Sequence, residues 1–170
     1  YNQAIMDFGA LQCTPAQPRC GDCPLAGRCL ALAAGTVGVR PVKQGRAKVR
    51  DRWFNYLHVT CGGQTLLHRR GGGDIWQGLY EFPLIETDKA ADFAELAATA
   101  AFRELLGNGR WHLRRSVTMP GHQLSHQLLH AVFHRIECDA MPAFPSVETA
   151  ALGGYALPRL IDRYLTKYQM

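Results

Sequence analysis

Four of the six cysteines, Cys13, Cys20, Cys23 and Cys29, fall inside one 17-residue window with the spacing C-x6-C-x2-C-x5-C. Thiolates packed that closely repel one another unless a metal centre neutralises them, so this window predicts a loop folded around a metal site. Two tetrathiolate centres compete, a zinc ion and an iron–sulfur cluster. A structural zinc site is usually built from two short Cys-x2-4-Cys knuckles separated by a longer stretch. Here one tight pair, Cys20 and Cys23, is flanked by two single cysteines, which favours a loop wrapped around an iron–sulfur cubane and leaves zinc as the alternative. Two disulfides would require an oxidising compartment and a cysteine-dense scaffold. With 6 cysteines in 170 residues and no export signal in view, the chain reads as cytoplasmic.

The segments around the cysteines have helical texture. Ala4, Ile5, Phe8 and Leu11 recur at helical spacing, predicting an amphipathic helix over 2–11 that needs another body to pack on. That need, and a start at Tyr1, suggest the C-terminal piece of something longer. Pro24 suits the first position of a second helix, continued by Leu25, Leu30, Ala31 and Ala34 and ended by Gly35. Residues 35–52 show no apolar period and read as a linker. Arg40, Lys43, Arg46, Lys48, Arg50 and Arg52 stand there against a lone Asp51, so a polyanion is its natural partner. The whole chain carries a formal charge of +5. No apolar run approaches the ~20 residues of a membrane span.

From Trp53 the composition shifts to aromatic and branched residues. Trp53 to Cys61 reads as a strand, Gly62-Gly63-Gln64 as a turn, and Thr65 to Arg69 as the return strand. Residues 71–73 are three glycines and predict a flexible loop. The Ala-rich stretch from Lys89 to Leu106 predicts one continuous helix stopped by Gly107. Trp111 to Thr118 and Gln127 to Glu137 read as strands, and Pro158 opens a last helix with Leu160, Ile161, Tyr164 and Leu165 inward. The fold class is therefore α+β: a short helical cysteine segment (1–34), a basic linker (35–52) and a mixed α/β domain (53–170).

The cysteine spacing, with Asn2-Gln3-Ala4-Ile5-Met6-Asp7-Phe8-Gly9-Ala10 before it, resembles the end of the catalytic region of the MutY adenine DNA glycosylases. Gly73-Asp74-Ile75-Trp76-Gln77-Gly78-Leu79-Tyr80-Glu81-Phe82-Pro83 is similar to that family's Trp-x-Gly-Leu-(Trp/Tyr)-x-Phe-Pro segment. Leu124-Ser125-His126 stands where the family usually has Phe-Ser-His, and Tyr155-Ala156-Leu157-Pro158 resembles the stretch before its final helix. The resemblance implies a [4Fe-4S] cluster on Cys13, Cys20, Cys23 and Cys29, a basic linker, and a Nudix-like domain that helps recognise 8-oxoguanine. It implies base excision repair of adenine opposite 8-oxoguanine, double-stranded DNA as partner, and a monomer.

The family's catalytic acid and aspartate lie upstream of the cluster loop, so the chain is expected to carry no catalytic residue. Asp7 reads as a helix residue. The resemblance implies that Ser125 reads the lesion, since the matching family serine contacts the oxidised guanine; a hydroxyl can meet either a purine N7 as donor or the N7–H of the oxidised base as acceptor. Leu124 replaces an aromatic ring but still offers an apolar wedge. His126 belongs to the same segment, and Arg19 and Arg28 are candidates for phosphate contact. His122, His126, His130 and His134 recur every four residues, but on a strand such neighbours lie ~13 Å apart and share no ion. Cys61 and Cys138 read as small core residues.

A metal-dependent Nudix pyrophosphohydrolase is a rival reading, since Arg103-Glu104-Leu105 echoes that family's signature. The carboxylate pair that would hold divalent cations is replaced by Leu106-Gly107. The other rival is a zinc-stabilised nucleic-acid-binding module.

Overall fold

The computed structural model describes residues 1–42, 49–107 and 109–168. The chain divides into two compact units, 1–47 and 48–170. Lys43, Arg46 and Lys48 of the basic run lie outside the described residues.

The first unit opens with helix α1 (Asn2–Leu11), which buries none of its residues; Met6 is 69% and Leu11 73% exposed. A helix this apolar and this exposed lacks its packing partner within its own unit. The expected second helix is broken. A 3-10 turn at Ala26–Arg28 is followed by an extended Cys29 and the single turn α2 (Leu30–Ala33). Gly35, at φ +65°, does end it, as a left-handed residue after a helix should.

In the second unit the strands are β1 (Arg50–Cys61), β2 (Gln64–Leu66), β3 (His68–Arg69), β4 (Tyr80–Glu81) and β5 (Leu84–Thr87). Helices α3 (Phe93–Ala97) and α4 (Ala100–Leu106) come next, then β6 (Trp111–Thr118), β7 (His122–Gln123), β8 (Gln127–Cys138), β9 (Ser146–Glu148) and α5 (Arg159–Tyr168). The main sheet runs β6-β8-β1-β2-β9, with β5 added on β1 and β7 on β8. Its spine is the parallel pair β1–β8, in register from Arg50↔Gln127 to Thr60↔Glu137.

Strand β1 is buried on both faces, as a parallel core strand should be. Alternation sends Phe54 and Tyr56, with Phe133 of β8, into a core closed by Leu160, Ile161, Tyr164 and Leu165 of α5. Leu57, Val59 and Ile136 point the other way, to Leu96, Phe102 and Leu106 of α3 and α4. The result is a mixed α/β sandwich with helices on both faces.

The Gly62-Gly63 turn has φ +52° and +84° between paired Cys61 and Gln64, the backbone a two-residue hairpin demands. Three expectations change. The first strand starts at Arg50, three residues before Trp53, so it takes in the end of the expected linker. The return strand splits at Leu67, because β3 leaves β1 to pair with β4. The continuous Ala-rich helix is two. Asp92 and Glu95 form a reciprocal capping box that starts α3, and the Thr99 hydroxyl accepts from the Phe102 amide, starting α4. That same hydroxyl donates to the Leu96 carbonyl at 2.7 Å, so one side chain closes one helix and opens the next.

Candidate nucleic-acid interface

Strands β7 and β8 form a hairpin with His122↔Leu129 and Gln123↔Leu128 in register. The Leu124 amide donates to the Gln127 carbonyl at 2.8 Å, leaving Ser125 and His126 as the exposed two-residue tip. Leu124 is half-buried and packs on the α5-side core, so it anchors the tip from below. Ser125 is therefore exposed at the tip of that turn.

A residue expected in the linker, Arg52, braces the hairpin. Arg52 is only 7% exposed. Its guanidinium donates to both carboxylate oxygens of Asp74 at 2.7 Å, to Glu86 at 2.6–2.7 Å, and to the Gln127 side-chain carbonyl at 3.1 Å. It thus ties together the glycine-rich loop, β5 and the first residue of β8, beside the hairpin tip. The forked geometry is one that only arginine supplies. Hydrogen bonds from Arg52 hold the Asp74 carboxyl well below the usual carboxylate range, and bonds to Glu86 and Asp74 raise the Arg52 guanidinium in turn. Arg70 extends the cluster to Asp74 and to buried Glu81, at 2.5 and 2.6 Å. Both guanidinia lie over the Phe54 ring, at 4.7 and 5.9 Å.

The Gly73–Pro83 segment supports the same hairpin. Trp76 has φ +60°, a left-handed backbone that costs a bulky residue about 1–2 kcal/mol. Its ring sits 5.9 Å from His122 of β7 and 6.4 Å from Phe54. Backbone strain of this kind persists where surrounding contacts impose it.

The histidine row is dispersed: His122 meets Trp76, His130 bonds Asp51 at 2.7 Å, and His134 bonds Ser116 at 2.8 Å. His58, on β1, bonds the Tyr164 hydroxyl at 3.0 Å. Burial pushes the His58 and His134 imidazoles down to about 4, with Arg135 and Arg115 adding repulsion at His58. Cys138 is buried with its thiol pushed up by burial, while Cys61 is half-buried.

In the first unit, Cys13, Cys20, Cys23 and Cys29 line one small cavity together with Gln12, Pro18, Arg19, Ala26 and Leu32. Gln12 closes this loop, accepting from the Arg19 amide at 3.0 Å and donating its side-chain amide to the Arg19 carbonyl. All six cysteines are free thiols. Among the described residues, no three His, Cys, Asp or Glu side chains are placed to ligate a single metal ion. The four thiols thus surround one space without converging on one point. Zinc needs its sulfurs about 2.3 Å from a single centre, whereas a four-iron cluster spreads four thiolates over separate irons. Four thiolates are a donor set that either centre uses. Arg19 and Arg28 are both exposed, and only Arg19 lines the cavity.

Glu104, the residue echoing a pyrophosphohydrolase, is exposed on α4, and Glu95 on α3 is engaged in the capping box. The carboxylates nearer the sheet, Asp74, Glu81 and Glu86, are paired with Arg52 and Arg70.

Residues 55–167 match the family model described as NUDIX domain. The adenine DNA glycosylase of Buchnera aphidicola subsp. Schizaphis graminum is 31% identical over 87 residues, covering 51% of this chain and 25% of that protein. That of Arabidopsis thaliana is 31% identical over 108 residues, covering 55% of this chain and 17% of that protein. The chain therefore spans a quarter or less of the length of these curated relatives. The C-terminal domain of mouse MUTYH, solved in complex with human PCNA, superimposes with a TM-score of 0.54 at 16% identity, covering 71% of this chain and 88% of that one. The E. coli ORF135 protein does so with a TM-score of 0.53 at 16% identity, covering 71% and 90%. At such identities the likeness speaks for fold alone. By its sequence match over the second unit, the chain belongs to the NUDIX domain family and is similar to adenine DNA glycosylases.

Proposed function

We propose that this chain is the C-terminal part of an adenine DNA glycosylase acting on adenine opposite 8-oxoguanine, and that its NUDIX domain reads the oxidised base. The observation that carries the reading is the hairpin tip: an exposed Ser125 hydroxyl on a two-residue turn, anchored by Leu124 and braced from below by Arg52 through Gln127. The names of the curated relatives support it.

In this reading Ser125 accepts from the N7–H that oxidation creates on guanine, and Leu124 and His126 pack beside the base. Cys13, Cys20, Cys23 and Cys29 hold a [4Fe-4S] cluster, which would fix the loop carrying Arg19 and Arg28 toward phosphates. Base excision belongs to residues outside this chain, so the chain alone binds duplex DNA as a monomer and cleaves nothing. The fold divides accordingly into cluster segment, linker and reading domain, in a cytoplasmic protein; among the described residues no helix is long and apolar enough to cross a membrane.

The test compares binding of the chain to duplexes with 8-oxoguanine or guanine opposite adenine, in matched salt. Preference for the oxidised duplex that is lost in Ser125→Ala is the expected result. Equal affinity of the wild-type chain for both removes lesion reading from this domain.

A further inference from the structure

The face of the sheet that carries α5 bears a concentration of arginine and lysine that the hairpin does not use. Strand β6 is an edge strand, and its register with β8 shifts between Leu113 and Arg115, making Arg114 the extra residue of a bulge. A bulge re-aims side chains, and here both Arg114 and Arg115 line one open cleft with Thr60, Arg135 and Glu137. Arg115 stands directly opposite Arg135 across the antiparallel pair. Like charges in that position are destabilising. Glu137 is taken by Arg114, and among the described residues neither Arg115 nor Arg135 has a carboxylate partner. Arg115 instead donates to the Tyr168 carbonyl at the end of α5.

The charge continues along that helix. Arg115 and Lys167 both lie over the Tyr168 ring, at 5.4 and 5.3 Å. Arg163 and Lys167, exposed on α5, line a second cleft with Pro120, Gly121 and His122, the approach to β7. Arg163 is near enough to add its repulsion to the burial that lowers His122. Asp162 is engaged by Arg159, so the carboxylates on this face are matched to other cations. The track therefore runs from Arg135 to the foot of the hairpin that ends in Ser125. Arg135 lies six residues along β8 from Leu129, the partner of His122 at that foot, about 20 Å at about 3.3 Å per residue, a span of about six base pairs of duplex.

We infer that Arg115, Arg135, Arg163 and Lys167 form a phosphate track for the backbone of the same DNA duplex whose oxidised base the hairpin reads. This rests on the reading of the domain as a DNA binder and assigns a separate surface to sequence-independent affinity. Phosphate contacts position a protein without carrying sequence information, so the two surfaces have separable signatures. Each lost contact lowers the dependence of log K on log salt by about 0.9.

The experiment measures salt-dependent binding of the full chain to 8-oxoguanine and guanine duplexes, for wild type, Arg135→Gln/Arg163→Gln, Ser125→Ala, and Arg103→Gln on the opposite face. The double variant is expected to bind about tenfold more weakly to both duplexes, with the slope reduced by about 2 and the preference for the oxidised duplex intact. Ser125→Ala is expected to lose the preference with the slope unchanged, and Arg103→Gln to change neither. If the double variant fails to fold, Arg163→Gln/Lys167→Gln, both on exposed positions, carries the same test. A folded variant with unchanged slope and affinity within twofold overturns the track, as does absence of binding to any duplex. Loss of binding to poly-glutamate with DNA binding unaffected would assign the surface to an acidic protein and overturn it equally. A wild-type chain without lesion preference, whose double variant still loses slope, would sink the lesion reading and leave the track standing.

Discussion

His58 offers a quantitative handle on the core. It lies at the centre of β1, is 3% exposed, stacks on Phe82 at 4.5 Å and bonds Tyr164 through Nδ1, while its Nε2 is buried with no partner. Burial holds the folded imidazole at about 4, against about 6.5 in an unfolded chain. A group whose folded value is depressed contributes its full stability above the unfolded value and loses it as pH falls toward the folded one, because the unfolded chain binds the proton first. The sensitive window is thus pH 6.5 to 4.

At pH 5.0 protonation stabilises the unfolded chain by about 2 kcal/mol and the folded chain by about 0.1 kcal/mol through this site. His134, also held at about 4, adds a similar amount. Urea unfolding of wild type and His58→Phe at pH 7.5 and 5.0 isolates the His58 contribution. The lost Tyr164 bond shifts both pH values alike and cancels. The stability difference, wild type minus variant, is expected to fall by about 2 kcal/mol between the two pH values. A difference constant to within about 0.5 kcal/mol would refute the claim that His58 is buried in its neutral form.

Three further outcomes follow from the structure. Arg52→Met leaves Asp74 and Glu86 without their main cation and releases Gln127 beside the hairpin tip. Because those carboxylates are about one-third exposed, the cost is set at about 2–3 kcal/mol, below the usual loss for a broken buried pair, and is read from the urea midpoint. The chain should release no phosphate from nucleoside di- or triphosphates with Mg²⁺; a turnover abolished by Glu104→Gln would contradict this. Purified chain should absorb near 400 nm with bound iron and sulfide, and Cys20→Ser should remove that band. Colourless protein with one zinc per chain would replace the cluster with a zinc site.

What the sequence made legible was mostly local. The first helix, both long strands after Gly107 and the inward face of α5 follow from period and punctuation, because each is decided within about ten residues. Gly62-Gly63 gave the hairpin by backbone chemistry alone. Arg52 was misread because its partners, Asp74, Glu86 and Gln127, stand 22, 34 and 75 residues away. In a basic run it is indistinguishable from solvated neighbours until the strand's alternation is extended upstream from Phe54. The Thr99 break had a local signal, a hydroxyl three residues before Phe102, but the alanines around it outweighed it by propensity. The strain at Trp76 and the Arg115–Arg135 opposition are products of register and loop packing, which single-sequence patterns do not encode. Ser125 was reached through its family resemblance; its place at an exposed tip is what the structure adds.

The central claim is that the hairpin tip reads an oxidised purine, and one ratio tests it most directly. The dissociation constant of the chain is measured for two duplexes identical except for guanine or 8-oxoguanine opposite adenine, at one salt concentration. A hydroxyl hydrogen-bonded to the oxidised edge should favour the 8-oxoguanine duplex by about 1–2 kcal/mol, roughly five- to thirtyfold, and Ser125→Ala should bring the ratio near one. A wild-type ratio already at one would contradict the account.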